Sequence, residues 1–202
     1  MSSSTHSHAD IFLVVLTAVV LLFGATTMSL ANTREAGAET AQAKAGAHPL
    51  LPGSRLMGEA GLSYWGLRIY HARLWTLPTQ QPEQVLDQPL VLELEYLRDL
   101  KGRAIAERSL SEMMQAGPVP EQQAQQWLAH MQRIFPDVKN GDRLTGQHHP
   151  GQGVSFGFNG QPIGRVDDPA FARRFLGIWL APSTSQPDLR AALLGLGPAP
   201  ER

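Results

Sequence analysis

The chain has 202 residues, 43% hydrophobic and 17% charged, with a formal net charge of −1. That composition supports one ordinary domain with a buried core plus a leader, and excludes wholesale disorder. A near-neutral charge without a long Lys/Arg run argues against nucleic acid as a partner, and the lack of cysteine excludes disulfides, zinc–thiolate sites, thiol catalysis and lipid attachment at a cysteine.

The unbroken apolar run Ile11 to Ala25 leads into Ser29-Leu30-Ala31, which has the small-x-small form of a leader peptidase site. Residues 1–31 therefore read as a secretory signal peptide cut after Ala31. The n-region carries His6 and His8 but no Lys or Arg. The alternative is an uncleaved anchor, because Ile11 to Leu30 supplies the roughly 20 residues a membrane helix needs. Either reading makes the domain periplasmic or otherwise exported, and the second tethers it to the inner membrane through residues 11–30. Residues 32–53, rich in Ala, Gly and Thr, read as a flexible tether, and residues 54–197 as the folded domain.

Gly58 to Leu77 opens the domain as one long strand or a pair. Alternation puts Arg68, Tyr70, Ala72 and Leu74 on one side and Leu67, Ile69, His71, Arg73 and Trp75 on the other. Neither set is purely apolar, which fits the wall of a half-polar cavity or a solvated edge strand. Pro82 to Leu86 has room for a short helix. Leu90 to Tyr96 alternates as a half-buried antiparallel strand, with Glu93 and Glu95 on its polar face. Lys101 to Ala116 reads as a helix closed by Gly117, and Glu121 to Phe135 as a second with a single apolar stripe through Trp127 and Met131. Asp142 to His149 and Val154 to Phe158 are strands, and Asn159-Gly160 signals a type I′ hairpin into Gln161 to Val166. Asp168 then caps a helix that starts at Pro169 and buries Phe171, Phe175 and Trp179; Pro187 to Leu196 is a short final helix. Together these elements give an α+β fold, a mostly antiparallel sheet with helices on one face.

Six segments in order carry a family resemblance: Leu56 to Leu62, Leu67 to Trp75, Leu94 to Asp99, Phe135 to Asp142, Phe158 to Gly164 and Phe175 to Leu180. Over about Gly53 to Gly195 the chain resembles the bacterial chalcone isomerase-like domain. The resemblance implies an open-faced β-sandwich: a large antiparallel sheet covered by helices, with a ligand cleft between the two layers. Ring closure in plant chalcone isomerases needs a cation for the phenolate and donors for the enolate. The family's arginine slot is filled here by Ser63, its strand threonine corresponds to Tyr70, and its helix tyrosine and asparagine fall near Arg103 and Leu110. A neutral serine cannot do the work of a guanidinium, so the catalytic set is not retained. The resemblance further implies that non-catalytic relatives bind fatty acids through an arginine and a tyrosine. Arg68, Tyr70, Arg98 and Arg103 are then the candidate ligand-binding residues, for a small amphipathic carboxylate.

The expectation is thus an exported, non-catalytic domain that binds a fatty acid-like ligand and needs no cofactor or metal. The rivals are an isomerase or lyase acting on an enone-like substrate, and a protein-interaction module with a vestigial cleft. An open cleft lined by Tyr70 and an arginine favours the first two; a cleft filled by bulky side chains favours the third. The adjacent pair His148-His149 points to opposite faces of a strand and so cannot chelate one ion. No Gly-x-Ser-x-Gly elbow or phosphate-binding glycine loop is present.

Overall fold

A computed structural model describes residues 46–197. The leader or anchor expected over residues 1–31, and the tether as far as residue 45, lie outside the described residues. Six strands form one antiparallel sheet in chain order: β1 (Arg55–Tyr64), β2 (Leu67–Thr76), β3 (Leu90–Tyr96), β4 (Arg143–His149), β5 (Gly153–Phe158) and β6 (Gln161–Val166). Among the described residues, two α-helices lie between β3 and β4, α1 (Gly102–Gln115) and α2 (Glu121–Ile134), and two follow β6, α3 (Pro169–Leu180) and α4 (Pro187–Leu193). A 3₁₀ turn over Pro82–Asp87 links β2 to β3. The α+β architecture, an open sheet with helices against it, is the one the sequence implies.

Sheet parity sorts the side chains. Tyr70, Ala72 and Leu74 of β2 lie beside Tyr96, Leu94 and Leu92 of β3, and all six are buried. Phe156 of β5 continues this face. Above it, Phe171 and Phe175 stack with centroids 5.4 Å apart. The opposite face carries a charge ladder. Arg73 reaches Glu59 at 3.5 Å, Glu93 at 3.3 Å and Glu95 at 3.0 Å, and Arg143 reaches Glu95 at 3.0 Å. His71 and Arg73 of β2 therefore do not line a cavity; they pair with carboxylates on the face away from the helices.

Local chemistry fixes the joints. The β1–β2 connection is a tight turn at Trp65 and Gly66, both at positive φ (53° and 75°), so Gly58 to Leu77 is a hairpin. Asn159 and Gly160 turn the β5–β6 hairpin in the same conformation (φ 48° and 81°). The Asp168 carboxylate caps α3, its Oδ1 accepting the amides of Ala170 and Phe171 and its Oδ2 the Trp127 indole at 2.7 Å. Gly58 lets α4 lie directly on β1, since a Cβ there would sit 2.1 Å from the Ala192 carbonyl oxygen. Residues 46–53, read from sequence as the end of the tether, pack on the sheet. His48 is buried edge-on against Trp75 at 4.9 Å, and Gln147 Nε2 donates to the Leu50 carbonyl at 2.7 Å. That anchoring rests on one histidine and one leucine, Leu51, too few to register as periodicity.

Candidate functional site

Between β1–β3 and helices α1 and α3 lies a cavity of about 390 Å³ that opens to solvent, within the roughly 300–1,000 Å³ typical of small-molecule sites. Its walls are mostly apolar: Leu94 and Leu144 from the sheet, Ile105 from α1, Phe175 and Ile178 from α3. The polar groups fall into two sets, one deep and one at the rim.

The deep set begins with Tyr70 and Tyr96, neighbours across the β2–β3 pair with rings edge to face at 6.1 Å. The Tyr70 hydroxyl oxygen accepts the Trp179 indole N–H at 2.9 Å. Its own proton has no protein acceptor among the described residues and is free for a ligand. Burial pushes the Tyr70 phenol up to about 12, opposed in part by the Trp179 hydrogen bond. Burial, reinforced by Tyr70, raises the Tyr96 phenol as well. Both phenols are neutral donors at physiological pH, not bases.

The rim comes from α1. Ile105, Arg108, Ser109 and Glu112 follow the i, i+3, i+4, i+7 pattern and all line the cavity. Arg108 pairs with Glu112; the arginine side chain is 66% exposed and the glutamate only 8%. The other Glu112 oxygen accepts the Ser185 hydroxyl at 2.8 Å. Both charges are close enough to act on the Tyr70 phenol, so deep and rim sets face the same space.

Of the four residues singled out from sequence, Tyr70 lines the cavity; Arg68, Arg98 and Arg103 do not. Arg68 shares Tyr70's alternation in the sequence, but a register shift in the β1–β2 pair intervenes: Ile69 lines the cavity and Arg68 lies exposed at the hairpin end, opposite Ser63. Arg98 is half-buried just beyond β3. Arg103 is exposed on α1 and pairs with Glu107 at 2.8 Å. Ser63, expected from the resemblance to stand at the family's arginine position, is exposed and outside the cavity lining.

The arginine that does reach the cavity is Arg108. The buried stripe of α1 is Gly102, Ala106, Ser109 and Met113, mostly small residues that a search for bulky apolar side chains passes over. Gly102 marks that stripe: a Cβ there would sit 2.2 Å from the Phe135 carbonyl oxygen. Counting from it places 105, 108, 109 and 112 on the cavity side. Trp179, read as core packing, also orients Tyr70. His148 and His149 diverge as strand alternation requires, with His148 Nδ1–H donating to the Gln88 carbonyl at 2.8 Å and His149 Nε2 lying 2.9 Å from the Ser155 hydroxyl.

Residues 55–195 match the family model described as chalcone isomerase-like. The chain belongs to that family. An uncharacterized protein of Haemophilus influenzae is 28% identical to it over 139 residues, covering 69% of this chain and 67% of the relative. Among solved structures, a fatty-acid binding protein of Arabidopsis thaliana superposes with a TM-score of 0.56 at 12% identity, covering 74% of this chain and 89% of that one. At that identity the likeness establishes the fold of this chalcone isomerase-like domain alone.

Proposed function

We propose that this chalcone isomerase-like domain binds a fatty acid or other amphipathic carboxylate in its cavity, without catalysis. The observation that carries the reading is an open, mostly apolar cavity whose polar groups include two inward phenols and, at the rim, a guanidinium paired with Glu112. Each methylene moved there from water contributes about 0.8 kcal/mol, so the chain supplies affinity while the head selects orientation. In this arrangement the carboxylate meets the Arg108 guanidinium at the rim and the Tyr70 hydroxyl proton. The fatty-acid binding protein of like fold lends independent support.

Two features argue against ring closure. The family's arginine position is an exposed serine, and the one arginine at the cavity is already paired with Glu112. The open cavity likewise disfavours an interaction module with a vestigial cleft. Native mass spectrometry of the purified full chain tests the proposal. A co-purifying fatty acid is expected in the wild type and depleted in Tyr70→Phe and Arg108→Ala; wild-type protein that stays empty after incubation with oleate refutes it.

We also propose that the protein is exported, with residues 1–31 as a cleaved leader or residues 11–30 as an anchor. The support is the apolar run followed by Ser29-Leu30-Ala31. Among the described residues no helix is long and apolar enough to cross a membrane, so an anchor would have to come from that run. Cell fractionation with N-terminal sequencing separates the two cases, and recovery in the cytosol with Met1 intact overturns both.

A further inference from the structure

The tip of the β1–β2 hairpin exposes three large hydrophobic residues within four positions: Tyr64 at 62%, Trp65 at 87% and Leu67 at 55%. Scattered apolar residues on a surface need no explanation, but a cluster of this kind marks a contact site. The backbone sharpens the point. Trp65 occupies the left-handed region at φ 53°, where asparagine or glycine is the unstrained choice. A bulky indole held there in water stabilises neither the turn nor the core.

The position of the tip says what it faces. Tyr64 and Leu62 of the same strand line the cavity, so tip and cavity mouth form one continuous apolar surface. Beside them Arg68 is exposed and forms none of the ion pairs found among the described residues. Tryptophan and tyrosine favour the boundary between headgroups and acyl chains, where an apolar ring and a polar N–H or O–H are both satisfied. A flanking unpaired guanidinium matches anionic phosphate. A protein partner would more naturally meet a tip of this kind with a complementary groove and acidic groups around it. A bilayer needs only the ring, the leucine and the cation.

We propose that the Tyr64-Trp65-Gly66-Leu67 tip inserts into the interface of a phospholipid bilayer, with Arg68 on anionic headgroups, and so docks the cavity mouth against the membrane. The cavity serves here only as a location. Failure of this proposal leaves ligand retention to mass spectrometry, and an empty cavity leaves the docking testable.

The experiment uses the full chain with phosphatidylcholine vesicles, with and without phosphatidylglycerol, carrying lipids brominated in the upper acyl chain. All four tryptophans lie in the domain, none in the first 45 residues, so emission reports the domain even if the N-terminal run is itself in the bilayer. Quenching and a blue shift of one tryptophan component are expected, strengthened by phosphatidylglycerol. Trp65→Phe loses that quench while Trp75→Phe keeps it, and Arg68→Glu removes the dependence on phosphatidylglycerol. Wild-type emission that is not quenched, or quenching that survives in Trp65→Phe, overturns the proposal. So does a concentration-dependent dimer without quenching that Trp65→Ser abolishes, since the tip would then bind a second copy.

Discussion

Glu112→Gln isolates the electrostatics of the cavity rim. In the wild type the Arg108 guanidinium is shared with Glu112, whose side chain is 8% exposed and whose other oxygen is engaged by Ser185. A ligand carboxylate reaching Arg108 must approach this resident anion. Like charges about 5 Å apart repel by about 3 kcal/mol at an effective dielectric near 20. The open mouth and the 66% exposed arginine screen that toward about 1 kcal/mol. Neutralising Glu112 while keeping its shape should therefore tighten carboxylate binding about fivefold to tenfold. Folding stability should change by no more than about 1 kcal/mol, because the lost charge partner, Arg108, is largely exposed and the neutral isostere keeps an oxygen for the Ser185 hydroxyl. Arg108→Ala has the opposite sign, because it removes the cation and leaves Glu112 facing the ligand alone. The assay is displacement of a fluorescent fatty acid analogue by oleate at pH 7, with methyl oleate as the neutral control, whose affinity Glu112→Gln should barely change. Oleate binding that is unchanged or weakened in Glu112→Gln would mean that the carboxylate does not go to Arg108, and the rim assignment would fall.

Tyr70→Phe keeps the ring but leaves the buried Trp179 indole N–H without an acceptor, so urea unfolding should report a loss of about 1–3 kcal/mol; an unchanged midpoint would mean that this hydrogen bond is dispensable. Gly58→Ala forces a methyl against the α4 backbone at 2.1 Å and should cost about 1–3 kcal/mol in thermal unfolding. Gly61→Ala, on the same strand with its nearest neighbour at 4.0 Å, should change stability by less than about 0.5 kcal/mol. Equal effects at the two sites would contradict the packing of α4 on β1. The hydrogen bond from Arg73 holds the Glu95 carboxyl below its ordinary value, with Arg143 adding to the effect. A lowered carboxyl pKa stabilises the fold above the unfolded value of about 4.3 and loses that contribution as pH falls through the native value. The stability penalty of Arg73→Ala should therefore be present at pH 7 and shrink below about pH 4; a penalty that does not vary with pH would assign the role of Arg73 to packing.

The fold was legible because its signals are local. Leu90 to Tyr96 alternates cleanly, Asn159-Gly160 demands a hairpin, and Asp168-Pro169 both caps and starts a helix. The cavity was legible at Tyr70, whose partners Ala72 and Leu74 are apolar. It was not legible at Arg108, because the face of α1 is set by Gly102, Ala106 and Ser109, and small residues carry little periodic signal. What fixes that face is a tertiary contact, the approach of Gly102 to the Phe135 carbonyl, and sequence pattern does not report contacts across 33 positions. Arg68 misled for a related reason: alternation does not hold across the register shift between Leu62 and Ser63, where Ile69 and not Arg68 joins Tyr70 at the cavity.

The protonation states of the cavity groups narrow its chemistry further than shape does. With its phenol pushed up to about 12 by burial, Tyr70 stays protonated at pH 7 and does not suit a general base. It can donate, and Trp179 steadies its oxygen while it does so. A group with these properties suits an acceptor that is already present in the ground state, such as a carboxylate or carbonyl oxygen. Ring closure asks for more: a cation to hold a phenolate nucleophile, and donors poised where negative charge appears only in the transition state. The guanidinium at this rim already pairs with Glu112, and Ser63, which the resemblance sets at the family's arginine position, is exposed. On the proposed reading, binding energy in this cavity goes to a resting ligand as fully as to any transition state, which is what carriage asks of it.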